Sequence, residues 1–250
     1  FQMSARVPTA SFRFINSKTF KTPYAKWPNS KNIFRDSLGD VGSMKNRLAP
    51  LPIARIKKTH KYIWEPTGEQ LAFSTTQVCN TKTPEALENI ERWRHKWQPR
   101  GETAHYALQQ RMLGNDKIEM GDYGDWIKPL MDCELWEDFE PWAVEYMLCD
   151  LEKSVGGQLD LLGYDNKSQR LMLIDLKTQG NKYAKPYTTD AQMGSYLEAL
   201  GTHHQIMPDV CKTVWAKPNK CVVGEDQDTV DCAFAWSQAW KRFDSKQGGF

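Results

Sequence analysis

No apolar run in this chain approaches the roughly 20 residues a membrane-crossing helix needs, and the first residues lack the apolar core of a secretory signal. Both absences point to an intracellular, cytoplasmic protein. No Cys-x-x-Cys pair occurs among the six cysteines (Cys79, Cys133, Cys149, Cys211, Cys221 and Cys232), so reduced, packed thiols are expected rather than a zinc ribbon or a redox motif. Internal repeats and low-complexity tracts are also missing, which excludes solenoids and disordered tails as the main architecture. No acidic residue precedes Asp36.

That last absence matters because the net charge of +2 conceals a division. Residues 1–64 hold 13 Lys and Arg against Asp36 and Asp40, a local charge of +11. Between Glu119 and Glu152, by contrast, eleven acids face Lys128 alone, a stretch that repels phosphate unless it turns away from it. In the basic segment Arg6, Arg13, Lys18, Lys21 and Lys26 alternate with Phe12, Phe14, Phe20, Tyr24 and Trp27. Cations contact phosphates and aromatic faces stack on unpaired bases, so the pattern suits single-stranded or frayed nucleic acid, with Arg6, Arg13 and Lys18 as candidate DNA contacts. A mitochondrial targeting segment and an ordinary solvated surface are the competing readings. At 250 residues the chain is long enough for one core, and the expected division is a basic arm over residues 1–70, a domain over 71–244 and a tail over 245–250.

The most specific chemistry lies in Gly156-Gly157-Gln158-Leu159-Asp160, followed by Ile174-Asp175-Leu176-Lys177. Two apolar runs flank the turn-prone Asp165-Asn166-Lys167-Ser168, a β-hairpin pattern that sets Asp160 and Asp175 on neighbouring strands. Side chains alternate along a strand, so Asp175 and Lys177 share one face and Ile174 and Leu176 the other. Phosphodiester hydrolysis needs a divalent cation to neutralise the phosphate and acidify the attacking water, and carboxylates are the hard ligands Mg²⁺ prefers. A lysine two residues after such an aspartate can orient the water, help deprotonate it, or stabilise the phosphorane. An Asp-x-Lys taken alone is more often the solvated face of a hairpin, and it gains weight from the motifs around it. Glu145, in the alternating run from Trp142 to Leu148, either reaches the metal or is a plain exposed strand residue.

Gly101 and His105, Gly157 and Asp160, Asp175 and Lys177, and Gln192 and Tyr196 reproduce in order the four marks Gly-x-x-x-His, Gly-x-x-Asp, Asp-x-Lys and Gln-x-x-x-Tyr. The set resembles the PD-(D/E)XK nucleases and, within them, the RecB-type branch. A Trp-Arg-x-x-Trp helix, Trp93 to Trp97, adds a likeness to the mitochondrial genome maintenance exonuclease and its phage-encoded relatives. The resemblance implies that Asp160, Asp175 and the carbonyl of Leu176 hold Mg²⁺ or Mn²⁺, with His105 facing the metal site. It implies that Lys177 is catalytic beside the two aspartates, and that Gln192, Tyr196 and Thr178 contact the nucleic-acid backbone. An imidazole nitrogen, softer than a carboxylate, would tune such a site toward Mn²⁺. Some RecB-type nucleases carry an iron–sulfur cluster; here Cys211, Cys221 and Cys232 are ten and eleven residues apart, and none is expected.

The expected fold is α/β, a restriction-endonuclease-like αβββαβ core with a mixed central sheet between helices. Thr83-Pro84 starts a helix with Leu87, Ile90, Trp93 and Trp97 marking one apolar face to Gln98-Pro99, and Pro99-Arg100-Gly101 is the break. A second helix buries Ala104, Leu108 and Met112; a later one, from Asp190, buries Met193, Leu197 and Leu200. Cys211 to Ala216 forms a strand, and Phe234, Trp236, Ala239, Trp240 and Phe243 mark a closing helix. The expected activity is a metal-dependent exonuclease on single-stranded or partly single-stranded DNA, serving replication, recombination or repair. A structure-specific endonuclease of the same superfamily and a non-catalytic nucleic-acid-binding module are the alternatives. The compartment is the cytoplasm, the host's if the gene is phage-encoded, or the mitochondrion.

Overall fold

A computed structural model describes residues 47–247 apart from Lys57, Lys58, His60 and Asp116. Its centre is a mixed six-stranded sheet made of β4 (Phe73–Ser74), β5 (Phe139–Asp150), β6 (Val155–Asp165), β7 (Arg170–Thr178), β8 (Val210–Lys217) and β9 (Lys220–Val223). The expected hairpin is β6–β7. Asp165 closes it by accepting hydrogen bonds from Lys167 N (3.2 Å), Ser168 N (3.1 Å) and Ser168 Oγ (2.5 Å), so a short acidic side chain takes the place of ladder bonds through the turn. β8 returns parallel to β7 after a crossover helix, α5 (Asp190–His204), and β9 folds back antiparallel on β8.

The register of β6 determines where the sheet opens. One of its edges pairs with β5 almost throughout. On the other edge β4 covers only Val155 and Gly156, and β7 covers only Leu161 to Asp165. Residues 157–160, the Gly-x-x-Asp stretch, therefore have no strand partner on that side among the described residues.

Helices cover both faces of the sheet. On one, α3 (Arg94–Met112) and α4 (Gly124–Met131) set Ala104, Leu108 and Ile127 against Ile174, Leu176 and Val214. On the other, α5 sets Met193, Leu197 and Leu200 against β6 and β7. Behind α5 lies α6 (Thr229–Gln247), close enough that a Cβ on Gly194 would collide with the carbonyl of Cys232. The order α3, β5, β6, β7, α5, β8 is the expected αβββαβ core. A three-stranded antiparallel sheet of β1 (Ile53–Ile56), β2 (Lys61–Trp64) and β3 (Glu69–Gln70) adds Ile53, Tyr62 and Trp64 to the cluster that contains the α5 residues. Leu51, Ile53, Tyr62 and Trp64, which the sequence assigns to the arm, thus contribute to the same core.

Several local expectations are corrected. The helix beginning at Pro84, α2 (Pro84–Arg92), stops at Trp93 rather than at Pro99, and α3 runs straight through Pro99. A proline near the start of a helix forfeits one bond, to the carbonyl four residues back, whereas Trp93 has already left helical geometry with φ −97° and ψ 10°. The indole of Trp97 donates to the carbonyl of Ile90 (2.8 Å) and satisfies the end of α2. The stripe of Leu87, Ile90, Trp93 and Trp97 is not buried: these residues are between 36 % and 47 % exposed, and α2 buries none of its side chains. In β5, Val144 packs toward α3 and α4 while Tyr146 and Leu148 pack toward α5, because Glu145 between them is left-handed (φ +47°) and breaks the alternation. Phe234 of α6 is exposed, whereas Trp236 and Ala239 are buried.

Candidate active site

Where β6 and β7 part, the backbone N–H of Leu176 has no ladder acceptor on β6 and donates instead to Asp160 Oδ2 at 2.6 Å. The other oxygen, Oδ1, lies 3.3 Å from His105 Nδ1, delivered from α3. The same nitrogen is 3.0 Å from Glu145 Oε1. His105, Glu145 and Asp160 thus bring ligand atoms within 4.8 Å of one another. Glu145 reaches this position because of its left-handed backbone, a conformation that costs a non-glycine residue on the order of 1 kcal/mol or more and that recurs at functional sites. Gln158 supports it by donating from Nε2 to Glu145 Oε2 (2.6 Å) and accepting at Oε1 from Arg55 Nη1 of β1 (3.1 Å).

Asp175 and Lys177 form the other half of the site. Lys177 Nζ donates to Asp175 Oδ1 (2.8 Å) and to Gln192 Oε1 (3.2 Å), and lies 2.7 Å from Asp175 Oδ2 as an ion contact. Gln192 Nε2 donates to Asp175 Oδ1 (2.7 Å) and to the hydroxyl of Tyr196 (3.0 Å). Asp175 is 1 % exposed, and its Oδ2 is buried without a hydrogen bond. Burial pushes its carboxyl up to about 6, with Lys177 pulling it down and Asp160 adding to the rise. Burial also acts against the charge on Lys177, but Asp175 and Asp160 more than offset it, so the ammonium is held above its ordinary pKa. Burial opposes protonation of His105 too, yet the charge of Asp160 and hydrogen bonds to Asp160 and Glu145 raise its pKa well above 6.5. Such a pocket favours positive charge.

A divalent cation fits this donor set. Two carboxylates and an imidazole nitrogen converge, and a third carboxylate, held by Lys177 and Gln192, sits beside them; oxygen donors with one nitrogen are a set that such an ion accepts. His105, Glu145 and Asp160 form the tight group; Asp175 sits beside it and is tied to Lys177 and Gln192. Tyr196 is 4 % exposed and belongs to the core cluster, with its hydroxyl accepting from Gln192. A Cβ on Gly157 would come within 2.6 Å of Thr75 Oγ1 and 2.9 Å of Tyr196 Cε1, so the glycine of one motif makes room for the tyrosine of another. Thr178 is half-buried next to Gly101. Arg6, Arg13 and Lys18 lie outside the described residues.

Sequence reading missed Gln158, although it stands inside the Gly-x-x-Asp motif. It also missed the segment from Thr178 to Thr189, which contains no acid and interleaves Lys182 and Lys185 with Tyr183 and Tyr187. That is the signature noticed in the basic arm, and here the structure locates it. Tyr187 stands edge-on to Trp215 at 4.7 Å between centroids, and burial shifts its hydroxyl upward, with Lys177 pulling it down and Asp175 adding to the rise.

The model of the PD-(D/E)XK nuclease superfamily matches residues 70–239, more than half of the chain and every residue from His105 to Tyr196 just described. The chain belongs to the PD-(D/E)XK nuclease superfamily. A solved structure titled "Crystal structure of SSO0001" is similar at 13 % identity, covering 70 % of this chain and 76 % of that one with a TM-score of 0.36. No curated protein matches. As a PD-(D/E)XK protein the chain is a nuclease by family, with nucleic acid as substrate and hydrolysis of phosphodiesters as the reaction, in a superfamily that typically uses divalent metal ions. No helix among the described residues is long and apolar enough to cross a membrane.

Proposed function

We propose that this PD-(D/E)XK protein is a Mg²⁺- or Mn²⁺-dependent deoxyribonuclease of the RecB-type branch, an exonuclease acting on single-stranded or partly single-stranded DNA in replication, recombination or repair. The observation that carries the reading is the convergence of Asp160, His105 and Glu145 beside the Asp175–Lys177 pair, at the one stretch of β6 that β7 leaves uncovered. The branch assignment rests on the four ordered sequence marks, and the exonuclease on the likeness to the mitochondrial genome maintenance exonuclease and its phage-encoded relatives.

Asp160, Asp175, Glu145, His105 and the Leu176 carbonyl would hold the metal, which when bound neutralises phosphate charge and acidifies water. The residues around it have separable tasks. Gln158 fixes Glu145, and Gln192 fixes both Asp175 and the ammonium of Lys177. Lys177, kept charged by its acidic neighbours, acts as a positive centre that orients the attacking water and stabilises the phosphorane rather than as the group that removes a proton. Tyr196 anchors Gln192 from the core, and the basic arm with Arg6, Arg13 and Lys18 adds phosphate contacts.

The test is end-labelled linear and closed circular single-stranded DNA incubated with Mg²⁺, Mn²⁺ or chelator. Loss of the linear strand alone, only with metal, is the expected result. Nicking of circles would replace the exonuclease by an endonuclease of the same superfamily. Salt-sensitive binding without turnover under any metal would leave a binding module on a nuclease fold.

A further inference from the structure

Few buried side-chain polar atoms of the described residues lack a hydrogen bond, and three of them gather at the C-terminal end of β7: Asp175 Oδ2, Gln179 Oε1 and Arg100 Nε. The first is accounted for by its ion contact with Lys177 Nζ at 2.7 Å. Arg100 is not. It lies on α3 one residue before Gly101, and it makes no hydrogen bond and no ion pair among the described residues. Its guanidinium is stacked 5.5 Å from the ring centroid of Trp126, and a Cβ on Gly180 would come within 3.1 Å of Nη1. Trp126 is itself fixed, donating from Nε1 to the carbonyl of Gln179 (2.8 Å). An arginine held in place by an aromatic ring and by the shape of a loop, with its charge uncompensated and half withdrawn from water, is arranged for an anion.

The anion is close to the reaction. Gly180 is three residues beyond Lys177, at most about 11 Å of chain. The loop that begins there carries Lys182, Tyr183, Lys185 and Tyr187, all exposed and without an acid among them. It is a fixed loop: Gln179 Nε2 donates to the carbonyl of Lys185 (2.9 Å), and Lys217 Nζ donates to that of Ala184 (2.6 Å). Cations for phosphates alternating with aromatic faces for bases are what a single strand of nucleic acid requires.

We propose that Arg100 binds a backbone phosphate flanking the scissile one, and that Tyr187 supports the base of the nucleotide between them, so that Arg100 and the loop of residues 180–189 form a single-strand subsite that sets the register of the substrate. This rests on the nuclease reading above. It makes Arg100 a substrate-binding residue whose loss weakens binding at that one phosphate.

The test uses the full chain carrying Asp175→Asn, to suppress cleavage, and a fluorescent oligothymidine titrated at several salt concentrations. Arg100→Ala is expected to weaken binding about tenfold and to reduce the slope of log affinity against log salt by about 0.7, the value for one phosphate contact on a single strand. Arg100→Lys should recover the slope but only part of the affinity, which separates lost charge from a disturbed fold. A methylphosphonate placed in turn at the two phosphates flanking the scissile one should, at one of them alone, cost the Asp175→Asn protein as much as Arg100→Ala does and cost Arg100→Ala nothing further. Tyr187→Ala should weaken binding about tenfold with the salt slope unchanged. Unchanged affinity and slope in Arg100→Ala, in a protein whose parent form cleaves DNA with metal, would overturn the subsite and leave the nuclease standing. A parent protein that neither binds nor cleaves DNA would overturn the nuclease reading itself.

Discussion

The two ends of the β6–β7 pair each carry a buried aspartate, and they treat it in opposite ways. At the hairpin end Asp165 receives three hydrogen bonds from the turn it closes, and these hold its carboxyl below the usual range although burial pushes the other way. At the open end Asp175 is more deeply hidden, is bound by Lys177 and Gln192, and is nonetheless pushed up to about 6. The same residue type in the same pair of strands serves stability at one end and is held at a cost at the other. A buried carboxyl whose charge the fold does not fully offset marks the place where a cation would complete the structure.

The largest effect expected from this contrast is on turnover. Asp175→Asn should lower metal-dependent cleavage on the order of 1,000-fold or more while leaving the melting temperature in chelator close to that of the parent, as measured by single-turnover assays and calorimetry. If Asp175→Asn cleaved normally, the open end would be structural like the hairpin end. Next comes the support of Glu145: Gln158→Ala should weaken Mn²⁺ affinity roughly 10- to 100-fold in a direct titration, because Glu145 then loses the amide that fixes its carboxylate. Asp165→Ala should reverse the pattern of Asp175, costing about 1–3 kcal/mol in a denaturant titration with turnover per folded molecule little changed.

The smallest effect sharpens the comparison through pH. A carboxyl whose pKa is raised by folding favours the fold below its unfolded value near 3.8, and that contribution is lost as pH rises through about 6. The penalty at Asp175 is therefore present above pH 6, where a cation relieves it. Saturating Mg²⁺ should raise the melting temperature more at pH 7.5 than at pH 5, when the carboxyl is protonated and metal competes with a proton. An equal shift at both pH values would place the stabilisation elsewhere.

Much of this was legible in the sequence. The β6–β7 hairpin, the crossover α5 with Met193, Leu197 and Leu200 inward, and β8 follow from alternation, turn residues and helical spacing, all local signals. The ordered motifs brought His105, Asp160, Asp175 and Lys177 to one place because each lies on an element that such signals define. What escaped depends on contacts distant in sequence. Nothing local says that Glu145 adopts a left-handed backbone, yet that kink sends Val144 and Tyr146 to opposite faces. Helical spacing identified an apolar stripe at Leu87, Ile90, Trp93 and Trp97 but not whether anything covers it. Arg55 supports Gln158 across 103 residues, a pairing that no spacing rule supplies.

The uncovered stretch of β6 at residues 157–160 has a consequence for how this protein could evolve or be engineered. Strands that might zip together are kept apart there, with a carboxylate serving one of the amides left over. Selection for thermal robustness alone would favour sealing that seam, and every added rung would exclude substrate. Durability and catalysis therefore pull against each other at one spot, and gains in the first are best sought at the hairpin end, where nothing has to enter.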